Sequence, residues 1–307
     1  MTPEQRDFIL QACAASSLCA GATIQSLWSG YGEIVRVHLQ GCRRPSVILK
    51  HVKFPEEAGR PGAGGGNTDR SHRRKVRSYQ VETNWYQNFS TDDSCRIPAC
   101  LAACSHGDEM LIVLEDLDVI TSCYTCLAWL AHFHALFLGV EPEGLWPVGT
   151  YWHLETRPDE LEAMDDAELK AAAAAQPMSL QDHRPRRRQV AAVDFQYVGG
   201  GCGMKDVAYF LGSCMDEREC ERRVPGLLEH YFSELRGSVR RDVDGDALEK
   251  EWREMFAFAW TDFHRFLLGW MPGHWKINRY SKQLTREVLS EKKQHSLPNQ
   301  LSNASVL

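Results

Sequence analysis

The sequence predicts an α+β chain of two lobes, a small strand-rich N-lobe followed by a larger helical C-lobe. The first third holds runs dense in Val, Ile and Leu: SLWSGYGEIVRVHLQG, PSVILKHVKF and MLIVLEDLD. The remainder reads as helices over 123–139, 159–175, 216–236 and 246–270, interrupted by one strand, QVAAVDFQYV. Strands gathered at one end and helices at the other make an α+β pattern. The 307 residues suffice for one large domain or two moderate ones with a sizeable core. The hinge falls near Glu115–Asp118, giving an N-lobe over 1–118, a C-lobe over 119–290 and a polar tail, 291–307, read as disordered.

Within the N-lobe, residues 3–17 read as a short helix. The stretch EEAGRPGAGGGNTDRS, 56–71, is Gly-rich and polar, a flexible loop that cannot build a core. Residues 72–90 read as a helix carrying Val76, Tyr79, Trp85, Tyr86 and Phe89. His106-Gly107-Asp108 reads as a hairpin turn ahead of the buried strand MLIVLEDLD, which ends in an acidic turn.

Composition removes several function classes. Apolar residues at 43% and charged residues at 25% are ordinary for a globular chain, and a net charge of −6 gives no reason to expect nucleic acid. Leu127–Val140 is apolar but broken by His132 and His134 and too short to span a bilayer, so no membrane partner is expected. The start, MTPEQRDFILQACAASS, lacks the basic stretch of a secretory signal. Eleven cysteines, an odd number scattered from Cys13 to Cys220, argue for a reducing, cytoplasmic setting. Cys123-Tyr-Thr-Cys126 has CxxC spacing but opens a helix with no second pair following. It reads as buried thiols ahead of a metal or redox site, as do Cys95, Cys100 and Cys104.

Six features can carry chemistry, each with a plainer alternative. Gly30 and Gly32 flank Tyr31 between strand-like runs; they read as a hairpin turn first, and as a backbone approach to phosphates second. Lys50 ends VILK, where a lysine reaches nucleotide phosphates or merely snorkels to the surface. Glu82, on the following helix, is either its ion-pair partner or a solvated charge. Glu115, Asp116 and Leu117 form a strand end whose backbone suits an adenine edge. Asp194, ending an apolar strand beside a turn, suits magnesium or caps the turn. After the run Gly199-Gly200-Gly201-Cys202-Gly203, Asp206 opens a helix, as its N-cap or as a brace behind the site.

Taken in order, these features resemble the aminoglycoside phosphotransferase and choline kinase superfamily. SYQVETNWY, LIVLEDLD, LAWLAHFHA and VAAVDFQYVGGGCGMKDVAYFL are similar to its ecdysteroid-kinase-like (CHK kinase-like) branch, with the similarity running from about Gly21 to Arg286. The resemblance implies a protein-kinase-like two-lobed fold, ATP and Mg2+ as cofactors, and γ-phosphoryl transfer to a hydroxyl of a small-molecule acceptor. By position it implies that Lys50 holds phosphates, Glu82 pairs with it, residues 115–117 line the adenine pocket, and Asp194 holds the metal.

One departure bears on activity. The family carries His-Gly-Asp, then an Asn, ahead of the metal Asp, the Asp accepting the acceptor's proton and the Asn binding metal. Here that region reads AAAAAQPMSLQDHRPRRRQVAAVDFQ, with neither. Asp182, twelve residues before Asp194, is the weak candidate for the base. The expectation is a deleted catalytic loop and an impaired kinase, the alternative a pseudokinase acting through binding. Arg184 and Arg186–Arg188 read as a solvated basic loop, and Arg73, Arg74, Lys75 and Arg77 as a basic helix face. Trp260, Asp262, Phe263, His264, Trp270 and Trp275 are candidates for an acceptor pocket, with helix core as the alternative.

Overall fold

The computed structural model describes residues 1–27, 30–54, 66–90, 95–117, 122–154, 156–158 and 191–295, with backbone alone at 66–69 and 291–295. Helix α1 (Pro3–Cys13) starts at a reciprocal capping box between Thr2 and Gln5. Strands β1 (Ser17–Ser26), β2 (Gly32–Gln40) and β3 (Ser46–Lys53) follow, then α2 (Gly66–Asn88), β4 (Cys100–His106) and β5 (Glu109–Glu115). The sheet is antiparallel throughout, in the order β1-β2-β3-β5-β4.

Period-two alternation on β3 sorts its side chains between two cores. Val47 and Leu49 face one way and pack with Val35, Val37, Val113 and Ile9 of α1. Ile48 and Val52 pack instead with hydrophobic clusters that include residues of α2, among them Val81, Trp85 and Tyr79. Lys50 lies between Ile48 and Val52 in that alternation, and so belongs to the α2 side.

The C-lobe begins with α3 (Cys123–Phe137), capped by Ser122, and continues with α4 (Met204–Cys214), α5 (Glu217–Ser238), α6 (Gly245–Trp270) and α7 (Arg279–His295). Leu127, Leu211, Leu227, Tyr231, Phe232 and Trp260 form its main core.

Several expectations change. Strands β1 and β4 were not foreseen; both are sheet edges. The first helix ends at Cys13 rather than at residue 17, and the Gly-rich loop yields to helix from Gly66, its earlier part lying outside the described residues. The helix expected over 159–175 also lies outside them, apart from isolated positions before it. The tail expected from 291 is still helical through His295. That helix begins with Asn278 and Ser281 bonding each other's backbone N–H groups at 3.0 Å, and Ser281 and Val288 are buried. The strand expected at QVAAVDFQYV does not form: residues 191–195 carry no ladder, and 196–197 turn. A strand needs a neighbour, and none of the described residues runs beside it. Val193 is accordingly 63% exposed.

Candidate functional site

Lys50 on β3 pairs with Ile34 on one side and Ile112 on the other, so its backbone is fixed by two neighbouring strands. Its ammonium donates to both carboxylate oxygens of Glu82 on α2, at 2.9 and 2.6 Å, with side chains only 5% and 2% exposed. Burial pushes the Glu82 carboxyl up, and the Lys50 charge pulls it back down. The sequence expectation that these two residues meet is therefore a geometric fact.

Asp194 Oδ1 stands 3.9 Å from the Lys50 ammonium, on a side chain 64% exposed. Its position is built by its neighbours. Phe195 is buried and stacks on Trp85 of α2 at 4.7 Å between centroids, meeting Tyr86 edge-on. Gln196 donates to Asp194 Oδ1 at 2.7 Å, accepts from Ser78 of α2 at 3.3 Å, and its carbonyl accepts from the Trp146 indole at 2.9 Å. Asp194 itself sits at φ 68°, a left-handed conformation that Asp tolerates better than most residues.

The remaining expected residues divide. Gly30 and Gly32 have φ of 75° and 126° beside a turn in which Leu27 N–H donates to the Gly32 carbonyl at 2.8 Å. Gly32 is pressed against the His51 backbone, so no side chain fits there. Between them Tyr31 is buried, with its hydroxyl 2.7 Å from His72 Nδ1 and its ring packed near Tyr79. Glu115 receives Arg96 at 2.8 and 2.7 Å, and Asp116 receives Arg36 at 2.6 and 3.0 Å and Ser46 at 2.7 Å. Arg96 and Arg36 hold these two carboxyls below the usual range. Both side chains brace the end of β5, and the Glu115 N–H is engaged by the Ala99 carbonyl.

Asp206 is not an N-cap; Gly203 is. Its carboxylate meets His134 Nε2 of α3 at 3.1 Å, while His134 Nδ1 meets the buried Tyr231 hydroxyl at 2.7 Å. It is a brace between α4 and α3. The six residues considered for an acceptor pocket do not line one site: Trp260, Phe263 and His264 are core, whereas Trp270 and Trp275 are exposed. A packed helix buries those three on its inner face. Asp182 and the arginines at 184 and 186–188 lie outside the described residues.

Two things were missed. Lys75, seven residues before Glu82 and so on the same face of α2, has its ammonium 6.0 Å from the Tyr79 ring centroid, the same ring that Lys50 faces; the spacing was the available signal. The CxxC pair opens α3 as expected with its thiols free, and a hydrogen bond with the Cys214 thiol at the end of α4, together with the nearby Arg223, pulls the Cys123 thiol down to about 6.

No family model matches the sequence, and no curated protein matches it either. Among solved structures, that of a microcompartment-associated aminopropanol kinase is similar over 94% of this chain and 98% of that one, with a TM-score of 0.50 and 14% identity. The fold is kinase-like. At that identity the likeness speaks for architecture: a β-rich N-lobe and a helical C-lobe.

A kinase-like fold implies ATP and magnesium in general, and these residues suit them unequally. Lys50, held by Glu82, is a fixed cation of the kind that meets nucleotide phosphates. For a divalent ion Asp194 is one exposed carboxylate, with Gln196 already on Oδ1. Among the described residues no three His, Cys, Asp or Glu gather as a metal site. Nor is any described helix long and apolar enough to cross a membrane.

Proposed function

We propose that this chain is a nucleotide-binding member of the aminoglycoside phosphotransferase and choline kinase superfamily, on its ecdysteroid-kinase-like branch, impaired in phosphoryl transfer. The observation that carries the reading is the buried Lys50–Glu82 pair with Asp194 at 3.9 Å from the same ammonium. Lys50 holds phosphate, Glu82 orients Lys50, Gly30 and Gly32 let the β1–β2 turn close over the phosphates, and the backbone at residues 115–117 meets the adenine. Asp194 is the residue that would hold magnesium, whose chemistry is to neutralise charge on the phosphates. The acceptor would be a small organic molecule bearing a hydroxyl, and the setting cytoplasmic.

Impairment is supported by the missing His-Gly-Asp and Asn. It is supported also by the unpaired run 191–195, which among the described residues makes one backbone bond to another element, Ala192 N–H to the Arg96 carbonyl at 3.3 Å. The same observations favour the second reading, a pseudokinase that binds nucleotide and acts through contacts.

The test is calorimetric titration of ATP into the full chain and into Lys50→Met. Saturable binding that the substitution weakens about tenfold or more supports the reading. Absence of binding at millimolar ATP contradicts it.

A further inference from the structure

Helices α3 and α4 meet at both ends. At one end His134 of α3 stands 3.1 Å from Asp206 of α4, and Gly203, just before α4, is pressed against the His134 ring. From that contact the chain runs back eleven residues to Cys123, the first of α3, and on eight residues to Cys214, the last of α4. At 1.5 Å per residue these are rises of about 16 and about 12 Å, so the two cysteines come abreast within one helical turn. There the Cys214 thiol donates a hydrogen bond to the Cys123 sulfur. Leu127 and Leu211, one turn in from each, are fully buried in the same core.

The backbone on each side of this contact is held by neighbours. His230 Nε2 of α5 lies 3.0 Å from the Tyr124 carbonyl. Ser213 Oγ donates to the Tyr209 carbonyl and accepts from the Lys276 ammonium, both at 2.6 Å. Arg223 favours the charged form of Cys123 and Lys276 that of Cys214, while Glu219 opposes the first and Cys126 the second. Burial pushes the thiols of Cys100, Cys104, Cys202 and Cys220 up, which leaves them poor nucleophiles. Cys123 goes the other way, half-buried at the head of its helix, and Cys214 is exposed. A low thiol beside an accessible second thiol is the arrangement of a redox pair.

We propose that Cys123 and Cys214 form a reversible disulfide switch whose oxidant is a hydroperoxide, with Cys123 as the attacking sulfur and Cys214 as the resolving one. The Cys123 thiolate attacks the terminal oxygen of the peroxide, forming S–O and breaking O–O. Cys123 becomes a sulfenic acid, and the departing oxygen takes up the proton that Cys123 had released, leaving as an alcohol or water. The Cys214 sulfur then attacks Cys123, forming S–S and breaking S–O, and its proton leaves with the hydroxide as water. Two electrons pass from the two sulfurs to the peroxide, and a dithiol reductant returns them by exchange. The bond joins α3 to α4 and encloses Asp194 in one covalent loop. This switch does not rest on the nucleotide reading above.

The experiment treats the reduced full chain with hydrogen peroxide, blocks the remaining thiols, and sequences an unreduced protease digest by tandem mass spectrometry. The expected product joins Cys123 to Cys214, is two hydrogens lighter than the separate peptides, and is released by dithiothreitol. It should form about tenfold or more faster than the exposed Cys19 is oxidised. Cys126→Ser should keep the bridge, and Cys214→Ser should leave Cys123 as a sulfenic acid that dimedone traps. Mapping the unaltered chain needs no variant to fold. A bridge from Cys123 to Cys126, or no bridge at Cys123 once Cys19 is oxidised, overturns the proposal. Dimedone labelling of Cys214 in Cys123→Ser as fast as that of Cys123 in Cys214→Ser overturns the assignment of Cys123 as the attacking sulfur.

Discussion

Two segments meet at the candidate site, and they are built very differently. Lys50 stands in the middle of a five-stranded sheet, flanked by Ile34 and Ile112, and ends on a buried carboxylate. Residues 191–195 have no strand beside them among the described residues, expose Val193, and owe their position to Phe195 under Trp85 and to Gln196. The Lys50 side is fixed by a regular ladder and an ion pair. The 191–195 side is held by two side chains and one backbone bond, Ala192 N–H to the Arg96 carbonyl. The contrast teaches that, on the proposed function, nucleotide contacts and phosphoryl transfer would be separable in one fold, because they would rest on different elements.

The largest effect expected from breaking this contrast is on the fixed side. Removing one partner of a buried pair strands the other charge, at a cost of about 3–5 kcal/mol. Glu82→Leu and Lys50→Met should each lower the unfolding free energy in urea by that order. The double variant should regain much of the loss, because two apolar side chains of similar size suit the surrounding Ile48, Val52, Val81 and Trp85. Equal losses in single and double variants would mean the pair does not act as a unit.

A second effect belongs to the helical lobe. His264 is buried on α6 with Nδ1 3.1 Å from the Ser281 hydroxyl, and burial, aided by Lys282, pulls its imidazole down to about 4. A folded-state value below the unfolded one near 6.5 means that the unfolded chain binds the extra proton. The contribution is present above about pH 6.5 and is lost as pH falls toward 4, to a total of roughly 3 kcal/mol. Urea titrations between pH 7 and 4 should show that slope, and His264→Gln should flatten it.

The smallest effect sharpens the loose side. Asp194 is left-handed at φ 68°, which costs an L-residue about 1–2 kcal/mol. Asp194→Gly should therefore leave the melting temperature unchanged or raise it slightly, whereas Asp194→Ala should lower it. If Asp194→Gly destabilises as much as Asp194→Ala, the contact with Gln196 matters more to folding than the backbone does.

What the sequence made legible follows the same division. Strands β3 and β5 were visible because central strands covered on both sides carry runs of Val, Ile and Leu, and β2 because its buried and exposed residues alternate. The edges β1 and β4, SLCAGATIQS and CLAACSH, were not: β1 is mostly exposed, β4 is only partly buried, and Ala, Gly and Cys give little strand signal. Helix α7 was hidden by its polar composition, since its start uses Ser281 where Glu or Gln would be the familiar sign. Lys50 and Glu82 were legible because alternation along VILK and the helical spacing of SYQVETNWY fix which way each side chain points. No strand forms at 191–195 because an apolar run alone does not make one; a ladder also requires a neighbour. Gln196 and Ser78, 118 residues apart, left no mark that spacing could detect.

The most direct measurement of the central claim follows phosphate release from ATP, with the full chain compared against a version in which a segment carrying His-Gly-Asp and the following Asn is restored ahead of Gln189. General-base catalysis alone is worth about a hundredfold to ten-thousandfold. The account predicts that the restored chain releases phosphate at least a hundredfold faster, that both bind ATP, and that the chain as it stands releases no more than Lys50→Met does. Equal rates in the two chains, abolished in this one by Asp182→Asn, would contradict it and make Asp182 the base.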